Sequence, residues 1–79
     1  MAEYHLDING IIQLGDYSSI HDYMEFVNKN DKFTIMIEKS DKKNIDIICK
    51  MLTDNKFNIN NLDADTNGKY YIEAYRVKW

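Results

Sequence analysis

The sequence predicts an α+β fold, a two-layer α/β sandwich in which two helices cover one face of a small mixed sheet. Two segments carry apolar residues at helical spacing, and four others have the composition or alternation of strands, in the order β-α-β-α-β-β. The 79 residues suffice for a single domain, residues 1–79, and not for two. Hydrophobic residues at 44% and charged residues at 29% are typical of a globular chain rather than a disordered one.

The first third of the chain predicts a strand followed by a helix. Residues 4–8 alternate between apolar and polar side chains, which is the period of a half-buried strand. The Asn9-Gly10 pair is a turn signal, so residues 11–14 could return as the second arm of an N-terminal hairpin. Residues 15–19 supply helix breakers and N-cap candidates, among them Ser18 and Ser19. An apolar stripe at helical spacing then predicts a helix that ends near residues 28–30; the stripe consists of Ile20, Tyr23, Met24 and Val27.

The remainder predicts a central strand, a second helix and a closing pair of strands. Residues 32–38 are nearly continuous in β-branched and apolar side chains, as in a buried strand. Ser40 or Asp41 is expected to cap a helix. The apolar stripe of that helix consists of Ile45, Ile48, Cys49 and Leu52. Residues 57–62 form a less pronounced strand, residues 65–68 a turn, and residues 69–79 a long alternating strand.

The segment Leu6-Asp7-Ile8-Asn9-Gly10 and the element order resemble the TusA or SirA-like family of small sulfur carriers, whose chains open with Leu-Asp-x-x-Gly-Leu-x-Cys-Pro. The resemblance implies the two-layer fold. In that family the cysteine of the Cys-Pro pair, at the first helix, carries a persulfide. This chain has Gln13 and Leu14 at those places, and a glutamine cannot hold a transferable sulfur. The resemblance therefore supports the fold and argues against the carrier activity.

No residue pattern predicts catalysis or a cofactor. The single thiol, Cys49, falls within a helical apolar stripe and is expected to pack as a small hydrophobic residue. His5 and His21 have no partners at zinc-ligand spacing, and Ser18 and Ser19 have no nucleophile elbow around them. Three glycines cannot form a phosphate-binding loop of the usual kinds. We therefore expect a protein that is not an enzyme and that holds no cofactor.

One motif leaves two interpretations open. Residues 63–68, Asp-Ala-Asp-Thr-Asn-Gly, match the first half of a calcium loop, with candidate ligands at Asp63, Asp65 and Asn67. The bidentate glutamate expected at the end of such a loop is replaced by Ala74. Asx and Gly residues are equally typical of a tight hairpin turn. The turn is the favoured interpretation and a calcium site is the alternative.

The charge distribution excludes some partners. The net charge of −3 and the absence of a basic stripe argue against binding to nucleic acid. Residues 1–31 hold six acidic residues and one lysine, whereas residues 32–79 hold seven acidic and nine basic residues. This division would suit a protein partner, but scattered solubilising charge is the favoured interpretation. A single cysteine, no signal-like N-terminus and no membrane-length apolar run predict a cytoplasmic protein that does not enter a membrane.

The closing strand carries the candidate binding residues. Tyr70, Ile72 and Ala74 are expected to point to one face of the sheet, and the other set, consisting of Tyr71, Tyr75, Val77 and Trp79, to the opposite face. If helices cover a single face, one set lies on bare sheet, and Tyr and Trp are enriched at protein interfaces. Packing of these rings at the sheet edge or under the hairpin is the alternative. Tyr75→Ala combined with Trp79→Ala is then expected to weaken partner capture while leaving cooperative melting nearly intact.

These observations favour a non-catalytic protein-interaction or regulatory module that binds a protein partner or itself. One alternative is a degenerate sulfur-carrier-like protein that uses Cys49. The other is a phage or mobile-element inhibitor of a host complex, which the small, acidic, motif-free chain suggests by composition alone.

Overall fold

A computed structural model describes residues 2–10, 12–38 and 42–77. Its elements follow the predicted order and confirm the α+β class with two helices and a four-stranded mixed sheet. They are β1 (Glu3–Ile8), α1 (Leu14–Phe26), β2 (Lys32–Ile37), α2 (Lys42–Asp54), β3 (Phe57–Ala64) and β4 (Tyr70–Arg76).

The sheet has the strand order β1-β2-β4-β3. Strand β1 runs parallel to β2, while β4 is antiparallel to both β2 and β3. The chain therefore makes two crossovers, β1-α1-β2 and β2-α2-β3, that advance across the sheet in the same direction. Because such crossovers are right-handed, both helices are placed on the same side of the sheet. Within residues 2–10, 12–38 and 42–77, the opposite side receives no helix.

The core lies between the helices and alternate residues of the strands. Strand β2 contributes three side chains with no exposed surface, Phe33, Ile35 and Ile37, as expected for a central strand. The helical stripes predicted from spacing are confirmed, because both contribute to one buried cluster; its helical members are Ile20, Met24, Val27, Ile45, Ile48 and Leu52. Burial of these apolar side chains is the main stabilising term of so small a domain.

The prediction that residues 11–14 return as the second arm of an N-terminal hairpin is wrong. Strand β1 pairs with β2, not with a returning arm, and Ile12 is buried in the core just before α1 begins at Leu14. Gly10 has a φ of 84°, so the turn signal at Asn9-Gly10 reverses the chain into a helix instead of a strand.

The start of α1 also differs from the sequence-based expectation. Residues 15–19 lie inside the helix, and the Ser19 hydroxyl donates to the Gly15 carbonyl at 3.1 Å instead of capping the helix. The helix is capped earlier, where the Asp16 carboxylate accepts from the Gln13 N–H at 2.9 Å. An acidic side chain in the first turn also complements the helix dipole.

The end of α1 is held by a buried arginine of β4. Arg76 is 8% exposed, its Nε donates to the Val27 carbonyl at 2.6 Å, and its Nη2 donates to the Met24 carbonyl. The guanidinium also lies over the Phe57 ring, 4.7 Å from its centroid. Burial lowers the pKa of Arg76, yet a guanidinium remains protonated at neutral pH. Arg76 therefore fastens the helix layer to the sheet.

Asp31 ties the N-terminus to the same region. Its carboxylate accepts from the Ala2 N–H at 2.8 Å and from the Asn28 N–H at 3.0 Å. These backbone hydrogen bonds stabilise the ionised carboxylate and lower the pKa of Asp31. Strand β1 is thereby set against the start of β2.

Two expectations fall on residues outside the described ranges. The predicted caps of α2, Ser40 and Asp41, lie there, and so does Trp79. Across the described part of the chain, neither helix has the length and apolarity needed to cross a membrane.

Candidate protein-interaction face

The side of the sheet away from the helices, which we call the open face, is built by alternate residues of all four strands. Tyr70, Ile72 and Ala74 of β4 contribute to the helix-covered core, which turns Tyr71, Glu73 and Tyr75 to the other side. The registers of the neighbouring strands extend this alternation across the sheet.

The open face is a grid of three rows that run across the strands in the order β1, β2, β4, β3. The pairing registers give these rows as Glu3, Lys32, Tyr75 and Asn58; His5, Thr34, Glu73 and Asn61; and Asp7, Met36, Tyr71 and Asp63. A β-bulge at residue 60 shifts the pairing of β3 with β4 by one residue, so Asn58 precedes the bulge on the open face and Asn61 and Asp63 follow it there. Within the described residues, polar and charged side chains thus surround two tyrosines and a methionine.

Tyr71 and Tyr75 lie on an interior strand of this face, in its two outer rows, with Glu73 between them. They are on the same side of β4, an interior strand, and each is partly exposed. Tyr75 is opposite Lys32 on β2, and Tyr71 is opposite Met36. Val77 follows the end of β4 and is 49% exposed. The structure thus brings together three of the four residues predicted for partner binding, and the fourth, Trp79, is outside the described ranges.

Lys32 links three strands by ion pairs on the open face. Its Nζ lies 3.0 Å from the Glu3 carboxylate on β1 and 3.1 Å from the Glu73 carboxylate on β4. The hydrogen bonds to Glu3 and then Glu73 raise the pKa of Lys32, and the hydrogen bond from Lys32 lowers the pKa of Glu73. This arrangement fixes the side chains beside Tyr75.

Two shallow cavities flank Tyr75. One of about 360 Å³ is bordered by Lys29, Asn30, Tyr75, Arg76 and Val77. The other, of about 250 Å³, is bordered by Ala2, Glu3, Asn30, Lys32 and Tyr75. Asn30 touches both and has a φ of 73°, a left-handed conformation that asparagine tolerates in the turn between α1 and β2. Tyr75 therefore stands as a ridge between two depressions, a shape suited to a partner's side chains on either side.

The charge of the open face is negative. Four carboxylates, those of Glu3, Asp7, Asp63 and Glu73, belong to the grid together with one lysine, Lys32. Lys32 is already engaged by two of them. Most of the unneutralised charge lies at the row that contains Tyr71, where Asp7 and Asp63 occupy the two outer positions.

The calcium-like motif forms a hairpin turn between β3 and β4. The Asp65 carboxylate accepts from the Asn67 N–H at 2.8 Å and from the Lys69 N–H at 2.9 Å. Gly68 has a φ of 86°, as the turn requires. Asp63 is placed at the end of β3, where it accepts from the Asn61 side chain at 2.9 Å. Over the described residues, no three His, Cys, Asp or Glu side chains group as metal ligands.

Cys49 is partly buried on α2 and packs against the core. Burial, and secondarily the charge of Asp46, raise the pKa of its thiol. A raised pKa reduces the thiolate fraction on which nucleophilic and sulfur-transfer chemistry depends. The position suits the packing role expected from the sequence.

Cys49 is accordingly expected to react several-fold more slowly with a thiol reagent in the native chain than in the urea-unfolded chain. Incubation with a persulfide donor should leave the intact mass without an added sulfur atom. Mass spectrometry checks both expectations. Native alkylation as fast as that of the unfolded chain, or a stable sulfur adduct, would show instead that Cys49 is an accessible reactive thiol.

The other residues considered for chemistry are dispersed. His21 is exposed on α1, with its Nδ1 3.9 Å from the Glu25 carboxylate. His5 belongs to the open face on β1, and Ser18 and Ser19 lie on the first turns of α1. His5 is thus separated from the three α1 residues by the sheet, since it belongs to the side away from the helices.

Comparisons of the chain with protein-family models, with curated proteins and with solved structures find no match.

Two structural residues of this region were not identified from the sequence. The sequence pattern places Lys32 within the central strand and Arg76 within the alternating closing strand, and it predicts no contact for either side chain. Alternation placed Arg76 on the same side as Ile72 and Ala74, which was a usable signal that a buried arginine would need carbonyl or aromatic partners. The identity of those partners depends on where α1 ends and could not be predicted from sequence spacing.

Proposed function

We propose that this protein is a non-catalytic interaction module that binds a protein partner through its open face. The observation that supports the proposal is the position of Tyr71 and Tyr75 on an interior strand, partly exposed, on the side away from both helices of the described chain. Partly exposed tyrosines on an open sheet surface are typical anchors of protein interfaces, because each ring adds a large contact area and a hydrogen-bonding hydroxyl.

The setting of the two rings favours a preformed binding surface. The sheet fixes the backbone of both residues, and the Lys32 ion pairs with Glu3 and Glu73 hold the neighbouring side chains. A surface that is ordered before binding loses less conformational entropy on association. The cavities on either side of Tyr75 offer room for side chains of the partner.

The chemistry of the face favours a basic partner segment. The four carboxylates of the grid exceed its single lysine, so lysine or arginine side chains of a partner would be attracted to the rim around the tyrosines. Arginine can in addition stack on a tyrosine ring. The same charge balance argues against a nucleic acid, whose phosphates would be repelled.

The experiment compares proteins captured from the native lysate by the parent chain and by the Tyr71→Ala, Tyr75→Ala double variant. Because both rings are partly exposed, the double variant should retain cooperative unfolding with a loss of about 1–3 kcal/mol, well below that of two core aromatic residues. Capture of the specific partner should fall by at least about tenfold, since truncating an anchor residue costs on the order of 1–2 kcal/mol or more. Quantitative mass spectrometry and a melting curve measure the two effects.

Phe26→Ala is the matched control, because Phe26 is 68% exposed on α1, in the helix layer. It removes an exposed aromatic ring without altering the open face, and capture should be unchanged. Equal capture by all three chains would reject the open face as the binding surface. A double variant that melts far below the parent would show that the rings are part of the core.

A further inference from the structure

We propose that two copies of this chain associate edge to edge through β1, in an antiparallel pairing that joins their sheets into one of eight strands. Strand β1 is an outer strand, and among the described residues it pairs with β2 alone. Its second edge carries unpaired backbone groups, which are a template for another strand. This edge adjoins the open face, whose outer column consists of Glu3, His5 and Asp7, but the inference does not depend on the proposed function.

The hydrogen-bond pattern identifies which residues of β1 face outward. The Ala2 carbonyl accepts from the Lys32 N–H and the Ile8 carbonyl accepts from the Glu38 N–H, both at 2.9 Å. In a parallel pair, every second residue directs both its N–H and its C=O group to the adjacent strand. The even-numbered residues of β1 therefore direct these backbone groups to β2. The N–H and C=O groups of Glu3, His5 and Asp7 are therefore directed to the free edge.

Three two-fold registers bring outward residues opposite one another. A pairing centred on His5 places Glu3 opposite Asp7 of the second copy, twice, and like charges directly opposite are destabilising. A pairing centred on Tyr4 places Glu3 opposite His5 of the second copy, but the Glu3 carboxylate is already engaged by Lys32. The same pairing places Leu6 opposite the small side chain of Ala2. Neither register therefore combines favourable charge pairs with contact between large apolar side chains.

The register centred on Leu6 satisfies both. His5 of each copy lies opposite Asp7 of the other, so an imidazole N–H faces a carboxylate in two symmetric, hydrogen-bonded pairs. On the helix side, Leu6 meets Leu6 across the axis and Tyr4 meets Ile8. Tyr4 and Leu6 are half-buried residues that already pack against the core, and pairing would complete their burial.

Among the surfaces of the described chain, the edge of β1 is better suited to pairing with a second copy than the edge of β3 or the open face. The outer strand β3 carries a bulge and is exposed on both faces over most of its length, features that discourage pairing. Two open faces would bring eight carboxylates against two lysines. Strand β1 has six regularly paired residues without a bulge, a proline or a lysine.

Sedimentation equilibrium over a concentration series, from low micromolar to near millimolar, tests the association of the full chain. The parent should show a monomer–dimer equilibrium. His5→Pro should remain monomeric, because it removes an outward N–H that β2 does not use, and its melting curve at low concentration should stay close to that of the parent.

Charge exchange tests the register. His5→Glu and Asp7→Lys should each weaken the dimer by about tenfold, because two symmetric cross-strand pairs are lost together. The double variant His5→Glu, Asp7→Lys should restore dimerisation, since a glutamate then lies opposite a lysine. Tyr71→Ala with Tyr75→Ala should leave the dimer unchanged, which separates this inference from the proposed function.

Several outcomes would overturn the inference. A parent that sediments as a monomer at every concentration, or a His5→Pro variant that still forms dimers, would exclude pairing through β1. A dimer strengthened by Asp7→Lys would identify the register centred on His5. A dimer indifferent to Asp7→Lys would identify the one centred on Tyr4. Failure of the double variant to recover would contradict the pairing of His5 with Asp7.

Discussion

Phe33→Ala is expected to destabilise the protein by about 3–5 kcal/mol, the range found for truncation of a buried aromatic ring. Phe33 lies on β2 with no exposed surface. Its ring stacks on Tyr23 with centroids 5.6 Å apart and meets the edge of Phe57 at 6.3 Å. Because a domain of this length has a total stability on the order of 5–10 kcal/mol, the variant should lose about a third or more of it and melt well below the parent.

Urea unfolding followed by circular dichroism measures this effect. Phe26→Ala provides the matched control, since it removes the same side chain from an exposed position of α1 and should change the free energy of unfolding by less than about 0.5 kcal/mol. Similar midpoints for the two variants would mean that Phe33 is not the centre of the core.

Arg76→Met is expected to cost about 2–4 kcal/mol. The substitution removes the hydrogen bonds to the Val27 and Met24 carbonyls and the contact with the Phe57 ring. Both carbonyls belong to buried residues at the end of α1, so they would lose their charged donor without gaining water. For a domain of this size the melting temperature should fall by roughly 8–30 °C.

Arg76→Lys separates charge from geometry. Lysine keeps the positive charge, but its single ammonium cannot reproduce the planar fork of a guanidinium, so the variant should recover only part of the loss. Thermal unfolding of the two variants beside the parent measures the difference. A methionine variant as stable as the parent would show that Arg76 does not fasten α1 to the sheet.

The candidate site was predictable to the extent that strand alternation determines it. The spacing of Tyr71 and Tyr75 places them on one face of β4 whatever surrounds the strand, and both helices that the structure describes lie on the other face. The ion pairs of Lys32 were not predictable, because Glu3 and Glu73 lie far from it in sequence and meet it only through the pairing registers of β1 and β4 with β2.

The N-terminal region shows where local signals are insufficient. Asn9-Gly10 reverses the chain equally well into a hairpin arm or into a helix, since the turn conformation does not specify which element the next residues form. Two tertiary interactions favour the helix: β1 forms its hydrogen bonds with β2, and the Ile12 side chain is buried in the core. Similarly, the polar start of α1 resembled a loop because its first turns contribute no buried side chain before Ile20.

The sequence by itself determined the class of the fold, the order of its elements, the apolar stripes of both helices and the two sides of β4. These properties follow from the periodicity of apolar residues, which depends only on residues close together in the sequence. Only the tertiary structure decided that β1 is a free edge, that Lys32 joins three strands and that Arg76 holds the end of α1. Such contacts join residues distant in sequence, and their geometry is fixed by strand order and register, on which local spacing carries no information.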